Sequence, residues 1–242
     1  MKNTLTIYRR ELASYFTSPI AYIFICAFLV VMGVFFFFYN PFFQQQNPDL
    51  RNYYSILPLT FALLIPAVTM RLWSEEKKAG TVELLMTMPL KSWEVVIGKF
   101  LAGYTVILIT LALTLTVPFS VSFVVDLDWG VIFASYLGAA CLAAVYIAVG
   151  SAISAMTENQ IVALLTAMVA LFILWGIGFP QVIQALNNVV GKLGTSLGWF
   201  GALSHFETFA KGQVNPVDLV YAASLTAFFL VLNNFAVEWR KY

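Results

Sequence analysis

Charge is scarce in this sequence: Asp, Glu, Lys and Arg make up 10% of its 242 residues. A soluble domain carries about 25%. Residues of the AVILMFWYC set reach 61%, more than a compact globule can hide from water, so the solvent must be lipid. That excludes a soluble enzyme. A net charge of +1 offers no basic field to polyanions, which excludes a nucleic-acid binder. Cysteine occurs twice. Cys26 and Cys141 fall in apolar runs with no second cysteine at metal-ligand spacing, which excludes a disulfide scaffold, and each reads as small apolar filler. Histidine occurs once. His205 lies near Glu207, but two residues make neither a metal site nor a catalytic pair, and a hydrogen-bonded interfacial histidine is expected.

Other absences are chemical. No long apolar run has an ionisable residue at its centre, where ion-coupled transporters carry theirs. There is no carbonyl or acidic filter sequence, no pair of Gly/Pro-broken inverted repeats, and no nucleophile or acid/base pair for an intramembrane enzyme. Gly98-Lys99 is followed by Phe100 and Gly191-Lys192 by Leu193, so neither is a phosphate loop. If this chain moves something uphill, the energy comes from another chain.

What is present is a set of apolar runs. A helix needs about 20 apolar residues to cross the hydrocarbon core. Runs centred on 20–39, 52–70, 100–125, 129–157, 159–179 and 219–237 predict six transmembrane helices in an all-α, polytopic membrane protein. Pro58 and Pro66 are expected to bend the second, and Pro180 to stop the fifth. The runs are unbroken and lack the alternation of transmembrane strands. The first is too long for a signal peptide and has no small-residue cleavage site after it. The chain reads as one transmembrane domain over 1–242.

Lys and Arg set the orientation. Lys2, Arg9, Arg10, Arg71, Lys77, Lys78, Lys91, Lys99, Arg240 and Lys241 fall on one side of a six-span chain, and Arg51, Lys192 and Lys211 on the other. Both termini are therefore expected in the cytoplasm. Residues 1–18 predict an amphipathic helix in the headgroup plane, with Leu5, Tyr8, Leu12, Tyr15 and Phe16 on one arc and Lys2, Thr6, Arg9, Arg10 and Thr17 opposite.

Two polar regions lie outside the spans. Residues 71–99 form the large inner segment. Gly80 suits a helix C-terminus, Thr81 can cap a short helix over 81–88 that Pro89 stops, and Ser92 can cap the next helix, with Glu94 in its first turn. That short helix carries Val82, Leu84, Leu85, Met86 and Met88, an apolar surface that suggests docking. Residues 181–218 are too apolar for a free loop and too broken by glycine for a span, which predicts a re-entrant or interfacial segment.

The residues Glu75-Glu76-Lys77-Lys78, Gly80-Thr81, Glu83-Leu84-Leu85, Pro89, Glu94 and Gly98-Lys99 resemble the first cytoplasmic loop of permease subunits of type-2 ATP-binding-cassette (ABC) transporters. The segment LSHFETFAKGQVNPVDLVY and a last span ending EWRK are similar to the subgroup of gliding-motility and copper-enzyme-maturation permeases. The resemblance implies a multi-pass protein of the bacterial inner membrane. It also implies a second permease copy or a related permease chain, and an ABC ATPase that holds ATP and Mg while this chain holds no cofactor. It places the coupling helix at 81–88. Glu75, Glu76, Gly80, Thr81, Glu83, Leu84, Leu85, Met88 and Pro89 then form the ATPase contact, with Arg9, Arg10 and Glu11 a second one. Thr105, Thr110, Thr114, Asn233 and Asn234 are the few polar side chains available to line a path. Two functions share these parts: an export permease, and a membrane scaffold that passes ATPase-driven force to a periplasmic or envelope partner, as in gliding motility, without carrying a solute.

Overall fold

The computed structural model describes residues 2–39, 49–80, 91–190 and 193–239, and every regular element among them is helical. Helix α1 (Lys2–Thr17) ends at Ser18, whose side chain accepts from the Ile20 amide and caps α2 (Pro19–Val34). Pro19 fits there because the first turn has no use for its missing N–H. A wider helical turn over Phe35–Tyr39 extends this first span. The second span strings together α3 (Arg51–Ser55), α4 (Leu57–Thr69) and α5 (Arg71–Lys78). Its breaks fall at Ile56 and Met70 rather than at the prolines: Pro58 sits in the first turn of α4, and Pro66 is accommodated inside it. The helix also runs on past Met70 into the charged turns of α5.

The third span, α6 (Ser92–Thr114) with α7 (Thr116–Val121), begins at 92, eight residues before the apolar run itself. Lys91, not Ser92, is its N-cap residue; Ser92 is the first helical residue and is buried. Glu94 lies in the first turn as expected, and its Oε2 accepts from the Lys91 amide at 3.3 Å. Asp128 caps α8 (Trp129–Met156), accepting from the Gly130 amide at 2.9 Å and the Val131 amide at 3.4 Å. Asn159 does the same for α9 (Gln160–Gly176), with 2.9 Å to the Ile161 amide. Then the chain turns by 84° into α10 (Pro180–Val190). Helices α11 (Leu193–Gly198) and α12 (Ala202–Ala210) complete the broken segment, and α13 (Pro216–Glu238) is the last span. Among the described residues five helices are long and apolar enough to cross a membrane, or six where the bent pair counts as one span.

Helix α8 is the centre of the bundle: α13, α4, α9, α12 and α6 all pack on it. Ala139, Ala143, Ala148 and Ala152 are buried along it, and small residues allow this close approach where lipid supplies no hydrophobic drive between helices. Tyr22, Val30, Leu165, Val169, Phe228 and Val231 face outward, as a lipid-exposed surface requires. Cys26 is exposed on α2 and so is not the buried filler expected; Cys141 is half-buried on α8, and both are free thiols.

Helix α1 does not simply lie apart in a headgroup plane. It packs along α6. Its inner face is Ile7 and Tyr15, while Leu5, expected on that face, is exposed. The close fit needs Gly98: a Cβ there would lie 2.8 Å from Ile7 Cγ2 and 3.2 Å from the Thr4 carbonyl oxygen.

Candidate coupling interface

Four helix ends meet at one end of the bundle: α1, the tail of α5, the start of α6 and the end of α8. The break at Met70 leaves the first amides of α5 without helical partners. Ser154 of α8, fully buried, supplies one: its Oγ accepts from the amides of Trp73 at 3.2 Å and Ser74 at 3.3 Å, and donates to the Met70 carbonyl at 3.0 Å. Further along α5, Lys77 donates to the carbonyl of Ala155 at the end of α8. One helix end is thus clamped to another by side chains acting on backbone.

Lys99 lies at the centre of this joint, on the third turn of α6, with 1% of its side chain exposed. A buried ammonium needs compensating charge. Its Nζ lies 3.2 Å from Glu11 Oε1 on α1 and 3.0 Å from Glu76 Oε1 on α5, and 5.2 Å from the centre of the buried Trp73 ring. Arg10 reaches the same two oxygens from the outside, at 2.6 Å and 3.1 Å. Two cations and two carboxylates alternate, so the cluster is neutral and three separate elements are tied through it. Burial works against the charge on Arg10, but Glu11 and Glu76 more than offset it and raise its pKa. Beside the cluster, Arg71 holds Glu75 through two bonds of 2.5 and 2.7 Å, and its third nitrogen donates to Ser18 Oγ at 2.8 Å. That fixes α5 against the α1–α2 corner. Asn3 donates to Glu94 at 3.1 Å, and the Tyr15 hydroxyl to the Val68 carbonyl at 2.9 Å.

Of the residues singled out by sequence, Glu11, Glu76 and Arg10 come together here, and Glu75 sits beside them. Arg9 is exposed. Gly80 follows the last residues of α5 with φ of +69°, a conformation that favours glycine, as a helix stop requires. Thr81, Glu83, Leu84, Leu85, Met88 and Pro89 lie outside the described residues. The path candidates lie elsewhere. Thr105, Thr110 and Thr114 each donate to a carbonyl of their own helix, and Thr105 and Thr114 also meet Tyr8 and Tyr136 hydroxyls. Asn233 donates to Ser151 Oγ at 2.5 Å between α13 and α8, with Asn234 buried next to it.

Sequence reasoning missed Lys99, Trp73, Arg71 and Ser154 as parts of this joint. A signal for Lys99 was available: Ser92, Val95, Val96, Lys99, Gly103, Val106 and Thr110 form one helical stripe, all buried, and a lysine in such a stripe demands a partner.

Residues 5–233 match the family described as ABC-2 family transporter protein. No curated protein matches the chain.

Proposed function

The chain belongs to the ABC-2 transporter family and is a membrane permease subunit, and on that premise we propose that it is an export permease driven by a separate ABC ATPase. Two copies, or one copy with a related permease chain, make the core of the complex. Both termini face the cytoplasm of a bacterial cell, by the Lys/Arg bias. The observation that carries the reading is the neutral cluster of Lys99, Glu11, Glu76 and Arg10. Glu76 precedes residues 81–90 and Lys99 follows them, so a push on that segment is delivered to α5 and α6 at points already tied to α1. Stiff helices joined at discrete contacts move as bodies, as coupling between ATPase and membrane spans requires. The ATPase contact is assigned to Glu75, Glu76, Gly80, Thr81, Glu83, Leu84, Leu85, Met88 and Pro89, with Arg9, Arg10 and Glu11 beside them. ATP and Mg belong to the partner.

A second reading, in the manner of the gliding-motility subgroup, makes the chain a scaffold that passes force to an envelope protein. One observation favours it: the hydroxyls of Thr105, Thr110 and Thr114 bond back to their own helix, leaving few polar groups for a solute. Reconstituted complex that hydrolyses ATP yet moves no lipid, peptide or polymer would select this reading.

The test of the coupling assignment is co-purification of the ATPase with Leu84→Ser/Leu85→Ser. Burying a leucine contributes about 1.5–3 kcal/mol, so losing two should weaken docking by roughly a hundredfold or more. A double variant that inserts and still holds the ATPase at wild-type strength would sink the assignment. The purified chain alone should not hydrolyse ATP.

A further inference from the structure

At the end of the bundle opposite the Lys99 joint, the start of α3, the turn before α8 and the first turn of α8 enclose a polar cavity of about 270 Å³. Asp49, Arg51, Tyr54, Asp126 and Asp128 line it, so three carboxylates share the space with one guanidinium. Asp49 is already engaged: its carboxylate accepts from the Arg51 amide at 2.9 Å and lies 3.1 Å from Arg51 Nε. The two terminal nitrogens of Arg51 make no hydrogen bond among the described residues, and neither does the Asp126 carboxylate. Asp128 caps α8 through Oδ1 alone. Tyr54 forms part of the wall; it is 1% exposed, and its buried hydroxyl has no partner among the described residues. A buried hydroxyl left without a partner is rare in native structures and asks for an occupant.

Beside the cavity runs an apolar groove of about 370 Å³ between α6–α7 and α8, walled by Leu108, Leu111, Leu115, Phe119 and Phe133. The two volumes adjoin: Ile132 lines both, and the Tyr54 ring meets the Tyr136 ring of the groove edge-on at 5.6 Å. Where the groove reaches the Asp128 turn, Trp129 packs on Phe119 at 5.4 Å, and both rings are exposed, as aromatic side chains are where hydrocarbon gives way to headgroups. A polar cavity joined to an apolar groove suits an amphiphile, and its charges select the head. Asp126 and the second oxygen of Asp128 can accept from a primary ammonium, and the free nitrogens of Arg51 can hold a phosphate. A choline head has no N–H to donate, and a glycerol head carries no cation.

We propose that cavity and groove form one binding site for a phospholipid with a primary-amine head, phosphatidylethanolamine, in the leaflet at this end of the bundle. Its ammonium sits at Asp126 and Asp128, its phosphate at Arg51 and the Tyr54 hydroxyl, and one acyl chain lies along the groove. The site is at the other end from the coupling cluster, and its test reads neither transport nor ATPase binding, so its failure leaves the permease reading untouched.

The test is native mass spectrometry of the full chain in detergent, titrated with phosphatidylethanolamine, phosphatidylcholine and phosphatidylglycerol of identical acyl chains. Phosphatidylethanolamine should bind about tenfold or more tighter than the other two, the scale of one charge-assisted hydrogen bond. Asp126→Asn/Asp128→Asn keeps a good capping residue on α8 and should abolish that preference while phosphatidylcholine binds as before. Ala112→Trp, at an exposed position on the groove, fills the groove and should weaken all three lipids. Equal wild-type affinity for the three lipids, or a double variant that keeps the preference, would overturn the proposal. So would an Ala112→Trp chain that binds lipid as the wild type does; if that change also splits a dimer, a second copy of the chain covers the groove instead.

Discussion

The two ends of this bundle are fastened by different means. At the charged end, Lys99 and Arg10 both bond to Glu11 and Glu76, so every carboxylate has two cations and every cation two carboxylates. At the far end, the Asp218 carboxylate meets one side chain among the described residues, His205, at 2.6 Å. The first joint is redundant and ties three elements together. The second rests on a single side-chain contact. Loss of one contact leaves the first joint partly held, whereas the second has no spare among the described residues.

The largest expected effect tests the redundancy. Lys99→Met is close in length to lysine but carries no charge, and it removes one of the two cations shared by Glu11 and Glu76. Removing one member of a buried ionic group costs about 3–5 kcal/mol, and Lys99 is almost fully buried, so a clear fall in thermal unfolding temperature is expected. Adding Glu76→Gln should recover part of the loss; if Lys99→Met alone is neutral, the cluster is not what ties the end together. Ser154→Ala comes next. It strips the Trp73 and Ser74 amides of their acceptor, at a cost of about 1–3 kcal/mol for unsatisfied buried groups, read as faster amide exchange in α5 with α13 unchanged. At the far end, Asp128→Ala removes a helix cap at about 1 kcal/mol, and Asp128→Asn should restore most of it. Arg9→Ala should change stability by less than about 0.5 kcal/mol, because an exposed side chain outside the cluster has little to lose. A larger loss there, without a change in ATPase binding, would enlarge the joint beyond the four residues named.

The spans were legible because lipid leaves little choice: twenty apolar residues in a row must be helical, and Asp128, Asn159 and Pro180 mark element ends by chemistry that acts within a few residues. Gly80 was legible for the same local reason. The joints were less so. Lys99 reads as one more inner-side cation when charges are counted along the chain, and only its place on a buried stripe sets it apart from Lys91. Glu11 reads as a surface acid until α1 is laid along α6, a contact made across more than eighty residues of sequence. Asp218 falls one residue before the last apolar run and drops out of any count of that run. His205 reads as a hydrogen-bonded interfacial histidine, but the sequence names no partner for it. Its real partner is thirteen residues on, across a turn at Gly212 whose φ is +82°. Apolar runs announce themselves one segment at a time, whereas an ion pair exists only once two segments have met.

The second span has a mechanical consequence that follows from its length alone. Arg51–Lys78 holds 28 residues. At about 1.5 Å per residue that is a rod of roughly 42 Å, against a hydrocarbon core of about 30 Å. Some 12 Å of helix therefore stands proud of the oil, and Glu75, Glu76 and Lys77 ride on that overhang. Carried as one piece across its breaks at Ile56 and Met70, a span this long acts as a crank handle: tilted by about 10° about its far end, its tip sweeps about 7 Å, more than the ~5.4 Å pitch of a helical turn. Displacements of that size at the tip need only small rotations within the membrane, where close packing of α4 against α8 would forbid large ones.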